Sequence, residues 1–158
     1  MALKTGRNSA QKKIPPFIFG LGNKKVSEFL KAYFEGDGGV EHNSVNACSK
    51  SQRLISELSY LLLRYGIVTR IKPRRKTATN SGASGIYWYL SISGQKDLNR
   101  FAQKIGFVSE KKQQKLLEII NKKFNTNVDV IPTADSLLQE IYQLFKPAHQ
   151  YFQLLGIR

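Results

Sequence analysis

The sequence predicts a single α+β domain, in which helices cover one face of an antiparallel sheet in the order αββαββα. Three observations predict it. Segments 23–37 and 51–65 repeat apolar residues at helical spacing. Segment 67–93 holds two strand-like runs around the polar loop "TATNSGAS". The 158 residues, 41% of them hydrophobic, suffice for one core and show no internal repeat that would build a second.

Residues 1–16 read as a flexible basic arm ending at Pro15-Pro16, and residues 17–124 as the domain proper. The first helix is expected to start at Asn23, a favourable N-cap, and to end at Asp37. Val26, Leu30, Tyr33 and Phe34 fall on one side of it, and Lys24, Glu28, Lys31 and Glu35 on the other. Gly38-Gly39 stops it. Val40 to His42 and Ser44 to Ser49 read as short strands around a polar turn. Ser51 to Tyr65 reads as a second helix with Gly66 at its end. Ile67 to Lys76 and Gly85 to Ser93 form a hairpin, and Asp97 to Ile105 and Glu110 to Phe124 two more helices. Residues 125–158 read as an extension: a loop, then an amphipathic helix from Ser136 to Phe145 ended by Pro147.

Charge narrows the partners. Twenty-five Lys and Arg against eleven acids give +14, which favours a polyanion, most often nucleic acid, over a ribosomal, heat-adapted or membrane-surface role. No run approaches a membrane span, and Met1 to Lys13 lacks the apolar stretch of a signal peptide, so an intracellular protein is expected. One cysteine, Cys48, excludes an internal disulfide. With only His42 and His149 beside it, a conventional zinc site is excluded too.

The hairpin carries the cations in a pattern. By strand parity, Ile86, Trp88, Leu90 and Ile92 face the core, while Tyr87, Tyr89 and Ser91 face outward. In the partner strand Arg70, Lys72 and Arg74 share one face. If the faces align, these six residues form one polar, basic surface, which Asn46 can join. Arg75 and Lys76, near the loop, can grip phosphates. From Ile67 to Ser93 there is no acid, whereas a merely solvated face mixes signs. A twisted β-ribbon fits the major groove, where Arg and Asn read base edges.

The first helix ends on a carboxylate. On a helical wheel Asp37 falls beside Val26, Leu30 and Tyr33, and Ala32 and Gly36, four apart, lie next to that stripe. Small residues at this spacing let two helix backbones approach closely. An acid is disfavoured at a helix C-terminus and costly on a buried side. A divalent cation held by paired carboxylates relieves both effects. The other account of Asp-Gly-Gly is a plain turn with Asp37 in water. These residues alone leave both open.

Leu30-Lys31-Ala32-Tyr33-Phe34-Glu35-Gly36-Asp37-Gly38 resembles the LAGLIDADG motif of homing endonucleases, most firmly at Glu35-Gly36-Asp37-Gly38. "GRNSAQKKIPPFIF" resembles the lead-in to the second motif of intein-encoded members. "SKSQRLISELSYLLLRYGIVTRI", "IGFVSEKKQQKL" and "NTNVDVIP" resemble the segments C-terminal to that motif. The resemblance covers most of residues 6–132. It implies an αββαββα unit whose motif helix packs against that of a second unit, with a saddle-shaped sheet over double-stranded DNA. It implies a helix–helix seam at Phe29, Ala32, Tyr33 and Gly36. It implies Mg²⁺ at Asp37, helped by the Gly36 carbonyl, with Mn²⁺ or Ca²⁺ able to substitute in binding. It implies hydrolysis of both DNA strands, leaving short 3′ overhangs. Ser49, Lys50, Arg53 and one of Lys111 and Lys112, here Lys111, match the positions of the catalytic polar and basic groups. Ser49 departs from the amide often found there.

Only one motif is present, so a homodimer, or pairing with another half, is expected. With Met1 first and Gly156-Ile157-Arg158 last, self-splicing is not expected. The rival expectation is a nucleic-acid binder on the same scaffold that does not cleave, such as an intron maturase or a degenerate endonuclease half.

Overall fold

A computed structural model describes residues 8–77 and 84–122, with positions 140 and 143. The chain divides into two units, Met1–Phe124 and Asn125–Arg158, and every element below belongs to the first. The first seven residues, the middle of the hairpin loop, the end of the expected Glu110 to Phe124 helix and the expected Ser136 to Phe145 helix fall outside the described residues, apart from the two isolated positions.

A 3₁₀ turn, Pro16–Gly20, leads into α1 (Asn23–Asp37). Next come β1 (Gly38–Glu41), β2 (Ser44–Ser49) and α2 (Gln52–Leu63). After these come β3 (Arg70–Thr77), β4 (Ser84–Ser93), α3 (Gln95–Lys104) and α4 (Glu110–Asn121). This is the predicted αββαββα order with one further helix. The four strands form one sheet in the order β1-β2-β4-β3, with every pair antiparallel.

Apolar spacing builds the core. Val26, Leu30 and Phe34 of α1, Ile55, Leu58, Leu61 and Leu62 of α2, and Leu98 and Phe101 of α3 are buried together. They pack with Val45, Ala47, Leu90 and Ile92 of the sheet. Phe101 sits between Phe34 and Phe107, with ring centroids 5.0 and 5.5 Å away. Burial of these side chains, each contributing roughly 1.5–3 kcal/mol, is the main stabilising term. Ser51 starts α2: its hydroxyl accepts from the Leu54 amide at 3.1 Å and donates to the Lys12 carbonyl at 2.5 Å.

Local signals misplace some boundaries. Asn23 is not the N-cap; Gly22 is, without a side-chain bond. The Asn23 amide oxygen instead accepts from Arg64 at 2.8 Å, which ties the start of α1 to the end of α2. The expected arm does not run free to Pro16. Ile14 is buried, and its amide donates to Glu57 at 2.6 Å. β3 begins at Arg70, because Ile67 is drawn into the core after Gly66, whose φ of +70° lets the chain turn.

α1 runs directly into β1 through Gly38. Its φ of −102° is open to any residue, so the reason for glycine is space. A Cβ there would lie 2.7–2.9 Å from the ring, carbonyl and Cα of Phe34. Gly38→Ala is expected to destabilise the domain by about 1–3 kcal/mol, the usual cost of overpacking a fixed neighbour. Chemical denaturation checks it; unchanged stability would mean that Phe34 and the strand can shift freely.

Candidate functional site

The sheet register sets one polar face. Asn46 pairs with Ser91, which pairs with Arg70; Cys48 pairs with Tyr89, which pairs with Lys72; Tyr87 pairs with Arg74. With period two, Lys76 joins this face and Leu90, Ile92, Val45 and Ala47 take the other. Asn46, Arg70, Lys72, Arg74, Tyr89 and Ser91 line a groove of about 320 Å³. Arg75 departs from the expected set. It pairs with Ile86, and both are exposed on the opposite face where the hairpin runs past the core.

Tyrosines set cations in and beside the groove. Arg74 and Lys76 lie 4.9 and 4.7 Å from the Tyr89 ring centroid. Lys50 and Lys76 lie 5.5 and 5.7 Å from that of Tyr87. Such contacts hold a cation in place and leave its charge available to an anion. The Tyr89 hydroxyl, and beyond it Cys48, raise the Lys76 pKa against slight desolvation, so this lysine stays charged at working pH. Glu41, His42, Ser44 and Ser93 also line the groove and were not anticipated. Ser44 and Ser93 share the parity of Asn46 and Ser91, but placing Glu41 needs the β1–β2 register.

The foot of α1 lies beside this face. Asp37 is its last residue and is exposed, not on the buried side as the wheel suggested. Phe34 is the last core residue, and the chain leaves the helix before the stripe returns inward. No cation lies within ion-pair range of the carboxylate among the described residues. Ala32 and Gly36 are exposed, and Phe29 and Tyr33 beside them are half-buried. A Cβ on Gly36 would meet nothing within 4 Å, and its φ is not positive. A mid-helix glycine costs about 1 kcal/mol relative to alanine, and nothing among the described residues requires one here. The Tyr33 hydroxyl is buried and has no hydrogen-bond partner among the described residues. Burial first, then Asp37 and Cys48 nearby, push its ionisation well above the ordinary range.

α1 and α4 cap each other. The Glu35 carboxylate accepts from the amides of Val108 and Ser109 at 2.8 and 3.1 Å, at the start of α4. The Lys112 ammonium donates to the carbonyls of Glu35, Gly38 and Phe34 at 2.5, 2.9 and 3.5 Å, at the end of α1. Each terminus thus receives the charge its dipole favours. The carbonyl of Gly36 is not among the Lys112 partners. Hydrogen bonds from Ser109, opposed by some desolvation, then the Val108 amide and Lys112, hold the Glu35 carboxyl below its usual pKa. A depressed carboxylate stabilises the fold above the ordinary carboxylate range and loses that contribution as pH falls through it. Glu35→Gln is therefore expected to flatten the loss of stability between neutral and acid pH, and thermal melts across that range check it.

The other expected positions are dispersed. Ser49 closes β2 and accepts from the Ser51 amide at 3.1 Å. Arg53 pairs with Glu57 on its own helix at 2.7 Å. Lys111 is exposed at the start of α4, while Lys112 reaches the Asp37-bearing turn.

The oxygen donors at the foot suit a hard divalent cation, which takes carboxylates, carbonyls and water. Among the described residues no three His, Cys, Asp or Glu cluster together. Glu35 is taken up by the Val108 and Ser109 amides, so among the described residues the foot offers one free carboxylate, Asp37, and the donor set fits a cation only when a second helix adds its own.

The αββαββα order and four-stranded antiparallel sheet define the class, and comparison shows the family. A family model described as a LAGLIDADG-like domain matches residues 24–106. The chain belongs to this family. It is 36% identical over 126 residues to a replication factor C small subunit of Methanocaldococcus jannaschii, covering 80% of this chain and 6% of that protein. It is 35% identical over 112 residues to a probable translation initiation factor IF-2 of the same organism, covering 70% and 9%. It is 28% identical over 140 residues to a replicative DNA helicase DnaB of Rhodothermus marinus, covering 82% and 14%. The chain thus spans only a small fraction of these relatives.

Proposed function

We propose that the chain is a site-specific double-stranded DNA endonuclease that works as two copies paired along Ala32 and Gly36. The observation that carries this is the end of α1: an open-sided glycine and an unpaired exposed carboxylate next to a cationic groove. Pairing gives Gly36 a reason to be glycine, since a second backbone can lie against it. It also brings two Asp37 carboxylates together, where Mg²⁺ neutralises their repulsion.

The division of labour comes from the residues. Arg70, Lys72, Arg74 and Lys76 hold the phosphate backbone, while Asn46 and Ser91 face base edges. Asp37 of each copy, with the Gly36 carbonyl, would hold Mg²⁺. Bound there, the cation supplies an activated water and relief of the charge developing on the phosphate. Lys112 fixes the helix end that presents Asp37, and Lys50 adds positive charge at the end of β2.

The relatives support a travelling element. A replication factor subunit, an initiation factor and a helicase share this segment over only 6, 9 and 14% of their lengths. Their names span replication and translation, so the shared segment does not follow any one of these tasks. An inserted coding element that cuts DNA to enter new hosts, as an intein-encoded endonuclease does, accounts for that distribution.

The test is to incubate the purified chain with a library of randomised duplexes in Mg²⁺ and sequence the new ends. One preferred sequence, cut on both strands with short 3′ overhangs and uncut in EDTA, is expected. A selected sequence that is bound yet never cut in Mg²⁺ or Mn²⁺ would instead establish a binder without nuclease activity.

A further inference from the structure

We propose that Glu41 is a specificity-determining residue, which accepts a hydrogen bond from the exocyclic amine of a cytosine or adenine in the major groove. The proposal rests on the DNA-binding reading above. Among the described residues Glu41 is the one acid lining a groove otherwise made of three cations, His42 and neutral polar side chains. Its carboxylate is in no ion pair among the described residues, although Arg70, Lys72 and Arg74 share the groove.

The sheet order explains the missing pair. β1 and β3 are the two edges of β1-β2-β4-β3, so three strand spacings of about 4.8 Å separate Glu41 from the cations. The resulting ~14 Å exceeds the screening length of about 10 Å at 0.1 M salt. The groove therefore has a cationic side at β3 and an anionic corner at the β1–β2 turn.

That corner is braced. His42 takes a left-handed φ of +50°, and Glu41 pairs with Ser44 to close the hairpin. The Ser44 hydroxyl donates to the Glu41 carbonyl at 3.2 Å, and the Asn46 amide donates to the Ser44 hydroxyl at 3.0 Å. These bonds fix the backbone from which the exposed Glu41 side chain projects.

Chemistry then limits what Glu41 can meet. An ionised carboxylate only accepts hydrogen bonds. Phosphate repels it, and the major-groove edges of guanine and thymine offer acceptors. Cytosine N4 and adenine N6 offer donors. The protein therefore docks with β3 along the phosphates and the β1–β2 corner over bases. The competing account is that Glu41 only keeps the edge strand β1 from pairing with other chains.

The full chain, its Glu41→Ala and Glu41→Gln variants and a Lys72→Ala control would each select from randomised duplexes, and affinities would be measured across salt. Wild type is expected to require cytosine or adenine at one position. Glu41→Ala is expected to lose that preference by about tenfold, and Glu41→Gln to retain adenine over cytosine, since the amide pairs with the adenine edge. Other positions and the salt slope should not change. Lys72→Ala should weaken all sequences alike and reduce the slope by about one. An unchanged profile in both Glu41 variants, or uniform tightening on every duplex, would overturn the proposal. Failure of wild type to enrich any sequence would overturn the DNA reading beneath it.

Discussion

Asp37→Asn is expected to abolish cleavage of the selected duplex while the protein still binds it. The substitution keeps the shape and removes the charge that would hold a cation. Metal activation of water and stabilisation of the transition state supply several kcal/mol, so a loss of at least about a thousandfold in cleavage rate is expected. In the proposed reading, binding rests on Arg70, Lys72 and Arg74 of the groove and on Lys76 beside them, not on Asp37. Removing one negative charge near DNA should leave affinity unchanged or slightly higher. Single-turnover cleavage and equilibrium binding on the same duplex separate the two effects. Loss of both together would show that Asp37 supports the fold or the docked pose, not a cation.

The second large effect is Ala32→Leu. Ala32 lies four residues before Gly36 on the exposed side of α1, so the larger side chain has room in a single chain. The variant should therefore fold with near-normal stability. In a pair, a leucine from each copy meets the close helix–helix approach. Overpacking costs about 1–3 kcal/mol per site, and symmetry imposes it twice. The pair should dissociate at least roughly thirtyfold more readily, since each 1.4 kcal/mol is a factor of ten. Sedimentation measures this, and an unchanged dimer would remove Ala32 from the seam.

Much of this was legible because periodicity reports facing directly. The apolar spacing in α1 and α2 selected their buried sides, and parity in β3 and β4 put Arg70, Lys72, Arg74, Tyr87, Tyr89 and Ser91 on one face before any register was known. Several failures had a common cause, interactions distant in sequence. Arg64 draws the Asn23 side chain away from capping. Ile14 is pulled in by Glu57, 43 residues later. The Glu35–Lys112 cross-cap joins groups 77 residues apart and obeys no local pattern. The wheel put Asp37 on the buried side because it treats a terminal residue as if the helix continued. Arg75 is a simpler case: its parity assigns it to the opposite face from Arg74, and its proximity to the loop gave it a place among the DNA contacts that the groove does not.

Mixing tests most directly whether the site is shared between two copies. Wild-type chain and Asp37→Asn would be combined at constant total concentration, allowed to exchange subunits, and assayed on the selected duplex in Mg²⁺. If two Asp37 residues complete each site, double-strand cleavage should fall with about the square of the wild-type fraction, so an equal mixture retains roughly a quarter of the activity. A strictly linear decline to one half would mean that each chain cuts with its own complete site, and would contradict a shared one.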